Sequence, residues 1–157
     1  MIILIEFIAL VFFLIRTGKN IKQIIFINKS SILLALSFGI LYSLTIFLAK
    51  HTHFGSNILD QFIGGIQLPY LILYIIYPFT IAFSEEFIFR YIFVKKMGVL
   101  PAALIFTALH WRPNFPTPLF IPVFLFGLCQ SRLFNKTKSI WSPIISHLIA
   151  TYSLLLF

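Results

Sequence analysis

The sequence predicts an all-α fold, a polytopic integral membrane helical bundle of about six transmembrane helices. Two observations carry that prediction. The chain is 60% hydrophobic and 10% charged, with 20 Phe among 157 residues and a mean hydropathy of +1.01, which leaves too few polar side chains to cover a water-soluble core. Its apolar runs are separated only by short polar or Pro- and Gly-containing punctuation, with no repeat and no linker long enough to divide the chain. A single membrane domain over 1–157 is the expectation.

Spans are expected near 1–15, 32–49, 65–94, 99–111, 117–131 and 139–157. The first lacks a basic leading region and a small-residue cleavage site and carries Glu6 early, so it reads as a retained span. The second is an apolar run ending at Lys50. The third is longer than the roughly 20 residues of one crossing, and Pro78 is expected to kink it ahead of Glu85 or split it in two. Gly98 and Pro101 punctuate the turn into the fourth span, and Pro113, Pro116 and Pro118 mark an irregular stretch after it. The fifth and sixth flank a loop holding Arg132, Lys136 and Lys138.

Charge orients these spans. Of 12 Lys and Arg, nine fall in alternate loops: Arg16, Lys19, Lys22 and Lys29, then Lys95 and Lys96, then Arg132, Lys136 and Lys138. Only Lys50 and Arg112 fall on the other side, so both termini are expected to be non-cytoplasmic. The net charge of +8 speaks of topology and anionic lipid headgroups, and no basic and aromatic patch suggests nucleic acid.

Glu85, Glu86 and Arg90 lie inside the third apolar run. Ionisable groups at membrane depth cost roughly 2.5 to 3.5 kcal/mol each even on the lenient insertion scale, so such a cluster calls for a functional explanation. Counting inward from the cytoplasmic loops at 1.5 Å per residue puts Glu85, His110 and His147 at depths of about 15, 17 and 12 Å. Three spans thus deliver ionisable side chains to nearly one level below the cytoplasmic surface. A carboxylate in low dielectric is a strong base, so Glu85 with His110 suits activation of a water molecule, and His147 suits donation to the oxyanion on an attacked carbonyl. Adjacent glutamates point about 100° apart on a helix, whereas Arg90 follows Glu86 by one turn, so Glu86 is assigned to Arg90 or to backbone groups. Two His and one Glu, here Glu85, His110 and His147, also form a known zinc set, and hydrolysis with or without metal fits these residues.

At this point the residues resemble a family. Ser84-Glu85-Glu86-Phe87-Ile88-Phe89-Arg90 is similar to an EExxxR motif, Phe106-Thr-Ala-Leu-His110 to an FxxxH motif, and Phe126-Gly127 with Ser139-Ile-Trp-Ser-Pro-Ile-Ile-Ser-His147 to a third, histidine-containing motif. These are the motifs of the CPBP intramembrane proteases, which include the CAAX prenyl endopeptidases and the bacterial Abi and bacteriocin-immunity group. The resemblance covers roughly 70–157. It implies hydrolysis of a peptide bond in a membrane-anchored peptide or protein within a bacterial cytoplasmic membrane, with Glu85 and His110 positioning the water and His147 polarising the carbonyl. The family is described both as metalloprotease and as glutamic-type protease. One departure stands out: the third motif commonly carries Asn four residues after its histidine, and here that place holds Thr151. A threonine hydroxyl donates too, but it is shorter and partly diverted to its own helix carbonyl.

Other readings fit the same residues. Thr151 favours a catalytically degenerate member that binds peptides or confers immunity by interaction. His110 and His147 on two spans could ligate a b-type haem, and the glutamates could relay protons in a transporter. A purely structural intramembrane ion network is the bland alternative for Glu85, Glu86 and Arg90. His51 and His53 form an H-x-H expected in a solvated loop, and Cys129 is a small apolar residue on a helix, with no partner for a disulfide in the chain.

Overall fold

The computed structural model describes Val11 and residues 28–52, 55–57, 72–111 and 116–156. Every described element is helical. Apart from Val11, the expected span 1–15 with Glu6 lies outside the described residues, as do Arg16, Lys19, Lys22, His53, Arg112, Pro113 and the first part of the third span.

Helix α1 runs Lys29–Lys50. Asn28 caps it, its Oδ1 accepting from the Ser31 amide at 2.7 Å, which satisfies one of the amides that a helix start leaves without a partner. Ala35, Gly39 and Ile46 face inward, while Leu33, Ile40, Leu41, Leu44 and Leu48 are exposed. At Gly39 a β-carbon would stand 2.8 Å from the Ile149 side chain, so glycine is what lets α1 approach the last helix.

Helix α2 covers 72–97 without a break, and its winding changes along the way. Ile72–Ile76 is π-wound, Tyr77–Glu86 is α-helical, Phe87–Val94 is π-wound again, and Lys95–Met97 closes the helix. Pro78 neither splits nor ends it. Proline lacks the N–H that an α ladder needs, and it sits in the first turn of the α-wound stretch, where the ladder is being re-registered anyway. The eight-residue π stretch directly after the glutamates is longer than the single-turn bulges in which π geometry usually occurs.

Gly98 turns the chain at φ 90°, a backbone conformation open to glycine and strained for other residues. Helix α3 follows over Val99–Leu109, with His110 as its C-cap. A short 3-10 turn, Thr117–Leu119, leads into α4, Phe120–Thr137. The fifth span was expected to stop at 131, with Arg132 and Lys136 in a loop; instead α4 continues for another six residues, because Leu133 and Phe134 are buried against the core and hold that turn down. Lys138 ends it in the left-handed region, donating its amide to Phe134 O at 2.8 Å. Helix α5 is Trp141–Leu156.

Helix α1 packs on α5, α3 on α4, and α2 is surrounded by α3, α4 and α5. One apolar cluster joins Phe87, Tyr91, Val94, Ala102, Phe134, Ile140 and Ile144; a second joins Phe89, Phe106, Phe126 and Ala150. Among the described residues two helices, Lys29–Lys50 and Thr117–Thr137, are long and apolar enough to cross a membrane, against the six spans expected. The fourth and sixth fall short because α3 has 11 residues and α5 has 16. Lys95 and Lys138 meet at one end of the bundle, where burial and then the neighbouring Lys138 push the Lys95 ammonium below the usual lysine range.

Candidate active site

Glu86 and Arg90 are fully buried side by side on α2. Arg90 Nε donates to Glu86 Oε2 at 2.7 Å and Nη2 donates to Oε1 at 3.3 Å. The guanidinium lies over the Phe106 ring, 4.9 Å from its centroid, so α3 supplies an aromatic floor to the pair. The sequence assigned Glu86 to Arg90 or backbone groups; in the structure it also accepts a hydrogen bond from His147 Nδ1 at 2.7 Å. That contact links α2 to α5 across 61 positions of sequence.

This bond fixes His147. With Nδ1–H given to a buried carboxylate, only Nε2 is left for chemistry. It points to Glu85, 4.0 Å from Oε2. Phe126 packs edge-on against the imidazole, with ring centroids 4.9 Å apart.

His110 is fixed by a different partner. Its Nδ1 lies 2.7 Å from Phe106 O, and a carbonyl only accepts, so Nδ1 carries the proton and Nε2 presents a lone pair in the neutral ring. Nε2 stands 3.9 Å from Glu85 Oε1. Position at the C-cap of α3 leaves the His110 side chain 23% exposed, against 11% for Glu85 and 9% for His147. Glu85 therefore sits between two imidazole Nε2 atoms, each ring held from behind, at distances too long for a direct hydrogen bond and suited to a bridging water.

Two carboxylates, Glu85 and Glu86, share this site with one guanidinium. Thr151 is buried one turn beyond His147 on α5 and lies outside this hydrogen-bonded group. His51 is exposed at the end of α1, with Nδ1 2.8 Å from Phe47 O.

Zinc chemistry fits the donors, since Glu85, His110 Nε2 and His147 Nε2 are the ligand types of a catalytic zinc. The spacing is wider than ligands around one ion require. Among the described residues no three His, Cys, Asp or Glu side chains stand in metal-holding geometry.

Gln130 escaped the reading of the sequence, and Phe106 was named there only as the first residue of the FxxxH motif. Phe106 supplies both the carbonyl that fixes His110 and the ring under Arg90. Gln130, buried on α4, donates from Nε2 to Ser146 Oγ at 3.0 Å; an amide inside the apolar run of α4 was the available signal.

Three comparisons bear on identity. A protein of Bacillus subtilis (strain 168), the uncharacterized protein YpbD, is 31% identical over 104 residues, covering 61% of this chain and 52% of that one. The chain thus spans about half the length of the curated relative it matches. No solved structure matches it. The type II CAAX prenyl endopeptidase Rce1-like family matches residues 67–153, which include Glu85, Glu86, Arg90, His110, His147 and Thr151. The chain belongs to that family of membrane proteins.

Proposed function

We propose that this chain is a multi-pass intramembrane endopeptidase of a bacterial cytoplasmic membrane that cleaves a membrane-anchored peptide or protein, with Glu85 and His110 activating the water. The observation that carries the reading is Glu85 between two pre-oriented Nε2 atoms, at 3.9 and 4.0 Å. A water bound there donates one proton to Glu85 and the other to His110 Nε2. That leaves an oxygen lone pair for the scissile carbonyl carbon. As the C–O bond forms, Glu85 takes a proton from the water and the carbonyl electrons move to its oxygen. Protonated on both nitrogens, His147 keeps Nδ1–H on Glu86 and donates Nε2–H to that oxyanion. Collapse breaks the C–N bond, and the proton held by Glu85 passes to the departing amine.

Glu86 and Arg90 act through His147 and are positioning residues. Exposed leucines and Ile40 along α1, with Ile121 and Leu125 on α4, support a lipid-facing bundle. The basic end where Lys95 and Lys138 meet supports placing the site nearer the cytoplasmic face. Were zinc bound, Glu85, His110 and His147 would hold it, and it would supply Lewis-acid polarisation and a more acidic water. Thr151 supports a second reading, a member that holds an extended peptide without cutting it.

Cleavage of tagged membrane-anchored peptides in proteoliposomes separates these readings. Wild type is expected to cleave, while Glu85→Gln and His110→Ala lose about 10²- to 10⁴-fold and His147→Ala loses about 10²- to 10³-fold. Peptide bound but left uncut by wild type would favour the second reading. Equal cleavage by the variants would remove the site altogether.

A further inference from the structure

We propose that a file of buried water runs along the seam between α4 and α5, from the turn at Ser139 to the level of His147. Four polar side chains line this seam, and all are buried: Ser139, Ser142 and Ser146 on and before α5, and Gln130 on α4. Ser142 and Ser146 stand four residues apart and so share one face of α5, and Ser139 lies two residues before its start. Gln130 Nε2 reaches across from α4 to Ser146 Oγ at 3.0 Å. Ser146 precedes His147 in sequence, so the inner end of the seam arrives at the depth of the site.

Four other hydroxyls of this bundle bond back to their own helices. Ser131 donates to Gly127 O at 2.7 Å, Ser153 to Ile149 O at 2.8 Å, Thr107 to Ala103 O at 2.8 Å and Ser84 to Thr80 O at 2.7 Å. The seam residues do not follow that pattern. Among the described residues Ser139 Oγ, Ser142 Oγ and Gln130 Oε1 are buried without a hydrogen-bond partner. Ser142 lies in the first turn of α5 and Ser139 in the link from α4. Buried polar groups left in this way are normally satisfied by ordered water.

The chemistry of the unpaired atoms selects the ligand. Gln130 Oε1 only accepts, while the hydroxyls both donate and accept. None of the four side chains carries charge, so an ion has no counter-charge here. Water is the small molecule that donates to the amide oxygen and passes hydrogen bonds between hydroxyls. The outer end lies beside Lys138, at the basic end of the bundle. As a supply of hydrolytic water to a site in a bilayer, whose core holds none, the file rests on the function proposed above; its existence does not.

Thiol labelling tests the file directly. In a Cys129→Ser background, Ser142→Cys and Ser139→Cys are exposed in proteoliposomes to a small charged methanethiosulfonate, which needs hydrated thiolate. Ala102→Cys serves as a dry control, since Ala102 is fully buried in the apolar cluster with Phe87 and Val94. Seam cysteines are expected to label at least tenfold faster than the control, and equal rates would overturn the file. A measurement on the wild-type chain guards against misfolded variants: with the glutamine side chains labelled with nitrogen-15, and the signal assigned by its loss in Gln130→Leu, the Gln130 amide is expected to give a cross-peak with water. Its absence would overturn the file as well. Gln130→Leu is further expected to lower cleavage about tenfold; a labelled seam with wild-type cleavage in Gln130→Leu would overturn the supply role alone. A chain that cleaves nothing still reports on the file through labelling and the amide signal.

Discussion

Glu86 Oε1 and His147 Nδ1 meet at 2.7 Å across 61 residues of sequence, and this contact organises the site. It converts two adjacent glutamates into groups with separate tasks. Glu86, fully buried and bound to Arg90, holds the imidazole from behind. Glu85, on the next face of α2, meets Nε2 of both histidines. The same carboxylate–histidine arrangement elsewhere fixes the tautomer and the orientation of a reactive imidazole.

Removing either charge of the Glu86–Arg90 pair leaves the other buried without compensation, at about 3 to 5 kcal/mol. Glu86→Gln and Arg90→Leu are each expected to lose that much stability, measured by unfolding in detergent. The double variant removes both charges and is expected to recover most of the loss while staying inactive, since His147 has still lost its carboxylate. Strictly additive losses would show that the pair is not coupled.

Metal content separates two chemistries on the same three residues. With water held between Glu85 and His110, cleavage in a strong chelator is expected to stay within about twofold of the untreated rate, and elemental analysis is expected to find far less than one zinc per chain. Stoichiometric zinc, lost together with activity on chelation, would reassign Glu85, His110 and His147 as its ligands.

Much of this site was legible because charge inside an apolar run is costly and therefore conspicuous. Counting helical rise from basic loops puts Glu85, His110 and His147 at one depth, and in the folded chain each histidine comes within 4.0 Å of Glu85. The partner of Glu86 was not legible, because helix geometry separates two neighbours by face and says nothing of what each face meets. Nor was the winding of α2, since a shift to i→i+5 bonding leaves no mark in composition. Arg132 and Lys136 misled in another way: their charges read as a loop, while Leu133 and Phe134 between them held the chain in α4.

Gly127 offers a test of packing behind the site. A β-carbon there would stand 2.8 Å from Phe106 Cδ1 and 3.6 Å from Ala103 Cα. Phe106 has little freedom to yield, being buried between Phe89 and Phe126 with its ring under Arg90. Gly127→Ala is expected to cost about 1 to 3 kcal/mol of stability through overpacking, and to lower cleavage by displacing the carbonyl that orients His110. Adding Phe106→Leu relieves the clash, so the double variant is expected to regain stability over Gly127→Ala alone. A Gly127→Ala chain as stable and active as wild type would mean that α3 and α4 separate freely.

In the proposed reaction Thr151 is the place to test how strongly an oxyanion is held. It is buried on α5 one turn beyond His147, and its hydroxyl is shorter than the asparagine amide that the family motif commonly carries there. In other enzymes loss of one oxyanion donor costs about 10²- to 10³-fold in kcat. Thr151→Asn is therefore expected to raise kcat at least tenfold with little change in KM, because a donor that acts on developing charge leaves substrate binding in the ground state nearly untouched. The check is a comparison of kcat and KM for wild type and Thr151→Asn on one membrane-anchored peptide, beside His147→Ala carrying the same change. Without the imidazole that positions the oxyanion, the gain should vanish. A rise in kcat that persists in the His147→Ala background would place the new amide elsewhere on the reaction path, and a fall in KM alone would mark Thr151 as a substrate contact.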